Sequence, residues 1–262
     1  MRYCVVHAFT DRLFSGNPAG VCLVGRWPEP AMMQRIAREN ALPETAFILE
    51  EEGRFHIRWF TPAFEMDLCG HATLAAGFVV LNFIRPEADS VAFSSPSGPL
   101  TVARRAGRYA LDFPARPPAS VPVPEGLEAA LGAKVLGCSG SRDLIIELAS
   151  MAAVENLAPD FAQLRRMEGY MGFVPTARGE GGIDFVSRFF DPHDAIIEDP
   201  VTGSSHCSLI PFWAERMGKT EMVARQLSQR GGTLYCKQLG DRVEIAGDAV
   251  LYLEGTVKVA DD

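Results

Sequence analysis

Apolar and polar positions alternate along most of this chain in short runs, the period-two signature of strands with one buried face. Such runs predict strands at residues 3–9, 21–24, 45–50, 55–60, 90–93, 100–103 and 109–113. A second series follows at 144–148, 170–176, 183–190, 232–236, 242–246 and 250–257. Helical spacing is rarer. Met32, Met33, Ile36 and Ala37 share one face of a helix over 32–40, introduced by Pro28 and Pro30. Short helices are predicted at 125–131 and 161–167. Residues 74–84 form an apolar run broken only by Asn82, which suits a helix buried on most sides and falls short of the roughly 20 residues that span a bilayer. Ser15-Gly16-Asn17-Pro18-Ala19-Gly20 predicts a loop, and Arg178-Gly179-Glu180-Gly181-Gly182 a flexible turn.

Two stretches of this pattern look like copies of one design. The first reads Arg58-Trp59-Phe60-Thr61-Pro62, then Leu68-Cys69-Gly70-His71-Ala72-Thr73-Leu74. The second reads Arg188-Phe189-Phe190-Asp191-Pro192, then Val201-Thr202-Gly203-Ser204-Ser205-His206-Cys207. In each, a strand-like run meets proline, crosses a short acidic loop and enters a glycine-led helix rich in small residues. Between them, residues 113–124 carry five prolines, which predicts a linker between duplicated halves. The halves are placed at 1–116 and 117–262, with a return of the last strand to the first half left open. Their helices are expected at 70–84 and 202–217, with Phe78, Val79, Leu209 and Phe212 filling the space around them. Helix starts carry unpaired N–H groups and partial positive charge, so two of them suit an anionic ligand.

Composition narrows the function. With 47% hydrophobic and 22% charged residues, the 262-residue chain reads as an ordinary globular protein. A net charge of −8 argues against a general grip on nucleic acid or an anionic membrane. The six cysteines are scattered with no C-x-x-C pair and read as buried, reduced thiols. His7, His56, His71, His193 and His206 show no metal-binding spacing, and neither a G-x-G-x-x-G nor a P-loop is present, so no metal or cofactor is expected. Residues 1–9 read as a strand rather than a secretory leader, and a cytoplasmic location is expected.

Four residues carry candidate chemistry. Glu44 follows Leu42-Pro43 and precedes a buried strand; partial desolvation there would raise its pKa toward general acid/base range, whereas a solvated loop would leave it a strand cap. His71, just inside the first glycine-led helix, is either a packed imidazole or a proton relay. Asp199 is an N-cap or dipole partner of the second helix, or a functional carboxylate. Ser204 binds its own backbone or a ligand.

Taken in order, Phe9-Thr10 with Gly16-Asn17-Pro18, Pro43-Glu44-Thr45-Ala46-Phe47, Leu68-Cys69-Gly70-His71-Ala72-Thr73 and Glu198-Asp199-Pro200-Val201-Thr202-Gly203-Ser204 resemble the phenazine-biosynthesis PhzF-like isomerase family across nearly the whole chain. The resemblance implies the diaminopimelate-epimerase-like fold: α+β, with two pseudo-symmetric domains, each a β-barrel-like sheet around a central helix, and a site in the cleft between them. It implies Glu44 as the principal proton-transfer group, with His71, Asp199 and Ser204 orienting or assisting and Asn17 lining the pocket. Backbone donors at Gly70, His71, Ala72, Gly203, Ser204 and Ser205 would stabilise the charge that develops when a proton leaves carbon. The implied activity is a cofactor-free isomerisation of a small carboxylic acid by a homodimer.

Two other readings compete. Epimerases of this fold use a cysteine before glycine at each helix; here those positions hold Cys69 and Thr202. A threonine hydroxyl is too weak an acid to match a thiol, so a symmetric two-base racemase is disfavoured. A one-base epimerase or dehydratase through Cys69 stays open beside a packing role for that residue. A non-catalytic small-acid-binding protein is the third possibility.

Overall fold

The computed structural model describes residues 1–194 and 196–259. The chain divides into two compact units: Met1–Asp112 with the segment from Ala246 onward, and Phe113–Ile245.

In the first unit the strands are β1 (Arg2–Ala8), β2 (Asn17–Val24), β3 (Glu44–Glu51), β4 (Arg54–Phe60), the two-residue β5 (Glu65–Met66), β6 (Ser90–Ser95), β7 (Gly98–Arg105) and β8 (Arg108–Pro114), whose last two residues open the next unit. The C-terminal strand, β17 (Ala249–Thr256), pairs antiparallel with β1. From there the ladder runs antiparallel to β2, parallel to β3, antiparallel to β4, parallel to β6, then antiparallel through β7 to β8. Helix α1 (Pro30–Asn40) makes the β2–β3 crossover, burying Met33, Ile36 and Ala37 against Phe47, Leu49 and Phe60. Helix α2 (Gly70–Val79) continues into a wider π-helical turn, Val80–Ile84. Strands β1, β2, β3, β7 and β17 all pack on α2, so it is buried almost all round. Small residues permit that: a Cβ on Gly77 would stand 2.4 Å from a Val102 methyl carbon. Phe78 departs from expectation. It is half-buried, its ring edge-on to Tyr109 at 5.3 Å, while Val79 fills the interior.

The second unit repeats the same order of pairings. It holds β9 (Ala119–Val121), α3 (Leu127–Leu131), β10 (Gly137–Gly140), β11 (Leu144–Glu147), α4 (Met151–Glu155), α5 (Phe161–Leu164), β12 (Phe173–Arg178), β13 (Phe185–Ser187), α6 (Gly203–Met217), β14 (Glu221–Gln226), β15 (Gly232–Leu239) and most of β16 (Arg242–Gly247). From β9 the ladder runs antiparallel to β10 and β11, parallel to β12, antiparallel to β13, parallel to β14 and antiparallel to β15. Helix α6 packs on β14 and β15 and buries Leu209, Ile210, Phe212 and Trp213. Thr202 is its N-cap rather than its first residue, and Pro211 lies inside it. The proline-rich stretch expected as a linker contributes a strand, β9.

The repeat extends to side chains. Arg58 forks onto Glu65 (2.6 and 2.7 Å) and lies over the Phe60 ring; Arg188 forks onto Glu198 (2.7 and 3.0 Å) and lies over Phe190. In the first copy this bidentate pair ties β4 to β5 ahead of α2; in the second it ties the residue after β13 to the loop ahead of α6. Among the described residues, no helix is long and apolar enough to cross a membrane.

Candidate active site

Local structure in the first unit brings three separated segments together. Helix α1 is closed by Ala41, whose φ of 51° is left-handed; Pro43 disfavours a helical conformation at Leu42, and Glu44 opens β3. Parallel pairing sets Glu44 beside Ala19 on β2, two residues from Asn17. The turn before β2 needs Gly16: its φ is +67°, and a Cβ would stand 2.2 Å from the Ala8 carbonyl oxygen. On α2, His71 is the second residue, following the N-cap Cys69.

These side chains converge on one imidazole. His71 Nε2 lies 3.1 Å from Glu44 Oε2, with the histidine 5% and the glutamate 14% exposed. On the other edge of the ring, Asn17 Nδ2 is 3.2 Å and Cys69 Sγ 3.6 Å from His71 Nδ1. In the neutral ring Asn17 Nδ2 donates to Nδ1 and the proton sits on Nε2, facing the carboxylate; once the ring is protonated Nδ1 is itself a donor, and the Asn17 amide turns its Oδ1 to it. The Nε2–Oε2 contact is close enough for an ion pair but not aligned as a hydrogen bond, and neither atom has another aligned partner. Both atoms therefore keep hydrogen-bonding capacity within a buried site.

Charge favours a proton on the histidine. Burial pulls the His71 pKa down, but the sulfur of Cys69 and the carboxylate of Glu44 outweigh it and set the value well above the ordinary one. The Glu44 contribution is the one that counts near neutrality, because burial, and then Glu44 itself, push the Cys69 thiol up and keep it protonated. The donor atoms of Glu44, Cys69 and His71 lie within 4.8 Å of one another, close enough to share an ion, and no other group of His, Cys, Asp and Glu among the described residues does so.

In the second unit the start of α6 is tied down from behind. Thr202 Oγ1 donates to Asp199 Oδ2, so its hydroxyl does not cap the helix. Gln226, wholly buried on β14, accepts from the Thr202 N–H (2.8 Å) and donates to the Asp199 carbonyl oxygen (2.7 Å). His206 is 2.7 Å from the Thr202 carbonyl oxygen through Nδ1, and burial lowers its pKa to about 4, so the ring is neutral. Ser204 Oγ accepts from Arg142 Nη2 at 2.8 Å. Neither N-cap residue caps its helix through a side-chain hydrogen bond of standard geometry, although the Ala72 N–H faces the Cys69 sulfur, and the partial positive charge at both helix starts favours an anion.

Of the residues singled out by sequence, Asn17, Glu44, Gly70, His71 and Ala72 gather in the first unit, with Gly70 and Ala72 in the first turn of α2. Asp199, Gly203, Ser204 and Ser205 gather in the second, around the first turn of α6. The Ser205 hydroxyl is spent on the Thr202 carbonyl oxygen (3.0 Å), so that residue has only its backbone to offer. Asp199 is not the N-cap; it holds the residue that is. Sequence reading missed Gln226 and Arg142. Gln226 was detectable, because Met222, Ala224 and Gln226 alternate inward on one strand. Arg142 was not: Ser141-Arg142-Asp143 reads as a solvated turn, and β10 before it, Gly-Cys-Ser-Gly, has no apolar alternation.

Comparison with known proteins covers the same span. The family model described as phenazine biosynthesis-like protein (PhzC-PhzF) matches residues 6–255. An uncharacterized isomerase of Pseudomonas aeruginosa is 48% identical over 256 residues, 97% of each chain. A human phenazine biosynthesis-like domain-containing protein is 37% identical, again over 97% of each chain. A PhzF-family crystal structure from Enterococcus faecalis superposes with a TM-score of 0.96 at 43% identity, covering 98% of this chain and 99% of that one. A hydroxyproline epimerase from Agrobacterium vitis superposes at 0.61 with 10% identity, covering 98% and 90%, which shows that the α+β, diaminopimelate-epimerase-like architecture is shared.

Proposed function

This chain belongs to the phenazine biosynthesis-like (PhzC-PhzF) family, and on that premise we propose that it is a cofactor-independent isomerase that moves a proton on a small unsaturated or amino-acid-like carboxylic acid. The observation that carries the reading is the buried contact of Glu44 with His71, whose ring is steered by Asn17. In this reading Glu44 removes a proton from carbon, the electron pair delocalises into the conjugated acid, and the same carboxyl group returns the proton to a different carbon. His71, held protonated beside it, donates to the developing charge, and the first turns of the central helices supply fixed N–H donors. Ser204 and Asp199 orient the acid. The family resemblance also carries the expectation of a homodimer, which sedimentation equilibrium tests.

Cys69 is a weaker candidate for the base. Burial keeps it a thiol, and its counterpart in the repeat is a threonine whose hydroxyl is committed to Asp199. The test is a screen of unsaturated and amino acids in D2O, read by mass spectrometry. Wild-type protein is expected to place solvent deuterium on carbon in at least one acid, and Glu44→Gln to abolish it. Deuterium incorporation unaffected by Glu44→Gln would overturn the assignment.

A further inference from the structure

We propose that Arg142 is a positioning residue that turns the Ser204 hydroxyl into a dedicated donor for the substrate's carboxylate; this rests on the reading above, in which Ser204 holds the acid. Arg142 sits in the three-residue turn between β10 and β11, closed by the Ser141 N–H donating to the Asp143 carbonyl oxygen at 3.1 Å. Its guanidinium forks onto Asp143 through Nε (3.1 Å) and Nη2 (2.9 Å), and Asp143 is 1% exposed. The fork fixes the plane of the guanidinium. Nη2 then spends its second hydrogen on Ser204 Oγ.

The consequence lies in the chemistry of a hydroxyl. A serine oxygen that accepts from a permanently charged guanidinium cannot act as that group's donor, so its single proton is directed elsewhere. The accepted charge-assisted bond also makes the O–H a better donor, as polarised chains do. Ser204 is the second residue of α6, so the O–H lies at the positive end of that helix. A ligand carboxylate matches that set better than a neutral amide, because the directed O–H and the positive helix end both favour negative charge. A second tether sets the turn's position: Ser141 Oγ lies 2.9 Å from Ser208 Oγ, one helical turn beyond Ser204.

The test is a thermodynamic cycle with benzoate as the carboxylate probe and benzamide as its neutral control, read by titration calorimetry with melting temperatures in parallel. Ser204→Ala is expected to weaken benzoate about tenfold, the scale of one hydrogen bond to a charged group. Arg142→Gln is expected to match it, and the double variant to be no worse than either single, although its melting temperature carries the cost of both. Arg142→Lys, which keeps a charge beside buried Asp143 but has no fork, is expected to show the same loss, and it replaces the glutamine variant if that one fails to fold. Loss in Ser204→Ala with full benzoate affinity in Arg142→Lys or Arg142→Gln overturns this inference and leaves the proposed function standing. Additive losses overturn it too, because they would make Arg142 act independently of Ser204. Failure of the wild type to prefer benzoate over benzamide, or indifference to Ser204→Ala, overturns the carboxylate reading and this inference with it.

Discussion

Glu44 Oε2 stands 3.1 Å from His71 Nε2 while Asn17 addresses the opposite nitrogen of the same ring, so a single imidazole joins β2, β3 and α2. The contact links function to stability. Burial works against a charged ring, but the neighbouring sulfur and carboxylate raise the His71 pKa well above its ordinary value. A raised folded-state value means that the interaction stabilises fully below the unfolded imidazole's value of about 6.5 and is lost as pH rises through the higher folded value. The stability advantage of wild type over His71→Gln, from urea unfolding, is therefore expected to be greatest below about pH 6.5 and to shrink as pH rises above it. An advantage that grows with pH would contradict this electrostatic picture.

The second buried histidine predicts the opposite trend. Burial depresses His206 to about 4, and it reaches the Thr202 carbonyl oxygen as a neutral ring. A depressed folded-state value means stability that is present above the unfolded value and lost as pH falls toward the folded one. Wild type should lose on the order of 3 kcal/mol from this group between about pH 6.5 and about pH 4. His206→Gln, measured by the same unfolding titration, should remove that part of the acid sensitivity.

The tight seating of α2 is testable at Gly77. Its missing Cβ would meet Val102 side-chain atoms at 2.4 to 2.7 Å, so Gly77→Ala should cost about 1–3 kcal/mol despite alanine's better helix propensity. A Gly77→Ala variant as stable as wild type would mean that β7 is not held against the helix.

Gln226 makes a sharper case for the second unit. Replacing it with leucine preserves bulk but strips partners from the Thr202 N–H and the Asp199 carbonyl oxygen. The expected cost exceeds about 2 kcal/mol, because each orphaned buried group carries its own desolvation penalty. Gln226→Glu should be milder than the leucine change at acidic pH, where the protonated carboxyl can accept from Thr202 and donate to the Asp199 carbonyl oxygen, and should lose that advantage as pH rises and a buried charge forms. Equal stability for Gln226→Leu and wild type would contradict the hydrogen-bond network.

The architecture was legible because the duplication left physical marks in the chain. Arg58 and Arg188, each two residues before a phenylalanine, announced a repeated strand end, and the glycines at 70 and 203 announced two helices that must be closely packed. What failed was local chemistry overridden by tertiary pairing. Asn17-Pro18-Ala19-Gly20 has turn composition, yet it is the first half of β2, where Pro18 lies in the ladder and Gly20 makes room for the Tyr3 hydroxyl. That shift turned Asn17 from a loop residue into a wholly buried strand residue at His71. Five prolines at 113–124 did not prevent β9, a three-residue strand that needs few backbone donors. Arg142 escaped notice because its role depends on Asp143 and Ser204 together, and nothing in the sequence separates a buried Arg-Asp turn from a solvated one.

The central claim is that Glu44, and not Cys69, moves the proton. Glu44→Gln retains size and hydrogen bonding but removes the titrating group, while Cys69→Ala removes a thiol that burial keeps protonated. The direct measurement is the rate of deuterium incorporation from D2O into carbon of an acid that the wild type turns over, followed by mass spectrometry for all three proteins. The account predicts a fall of about 10²-fold or more for Glu44→Gln, the usual scale for losing a general acid/base. It predicts a far smaller loss for Cys69→Ala, with Asp199→Asn between them. An inactive Cys69→Ala beside an active Glu44→Gln would contradict it and transfer the chemistry to the thiol.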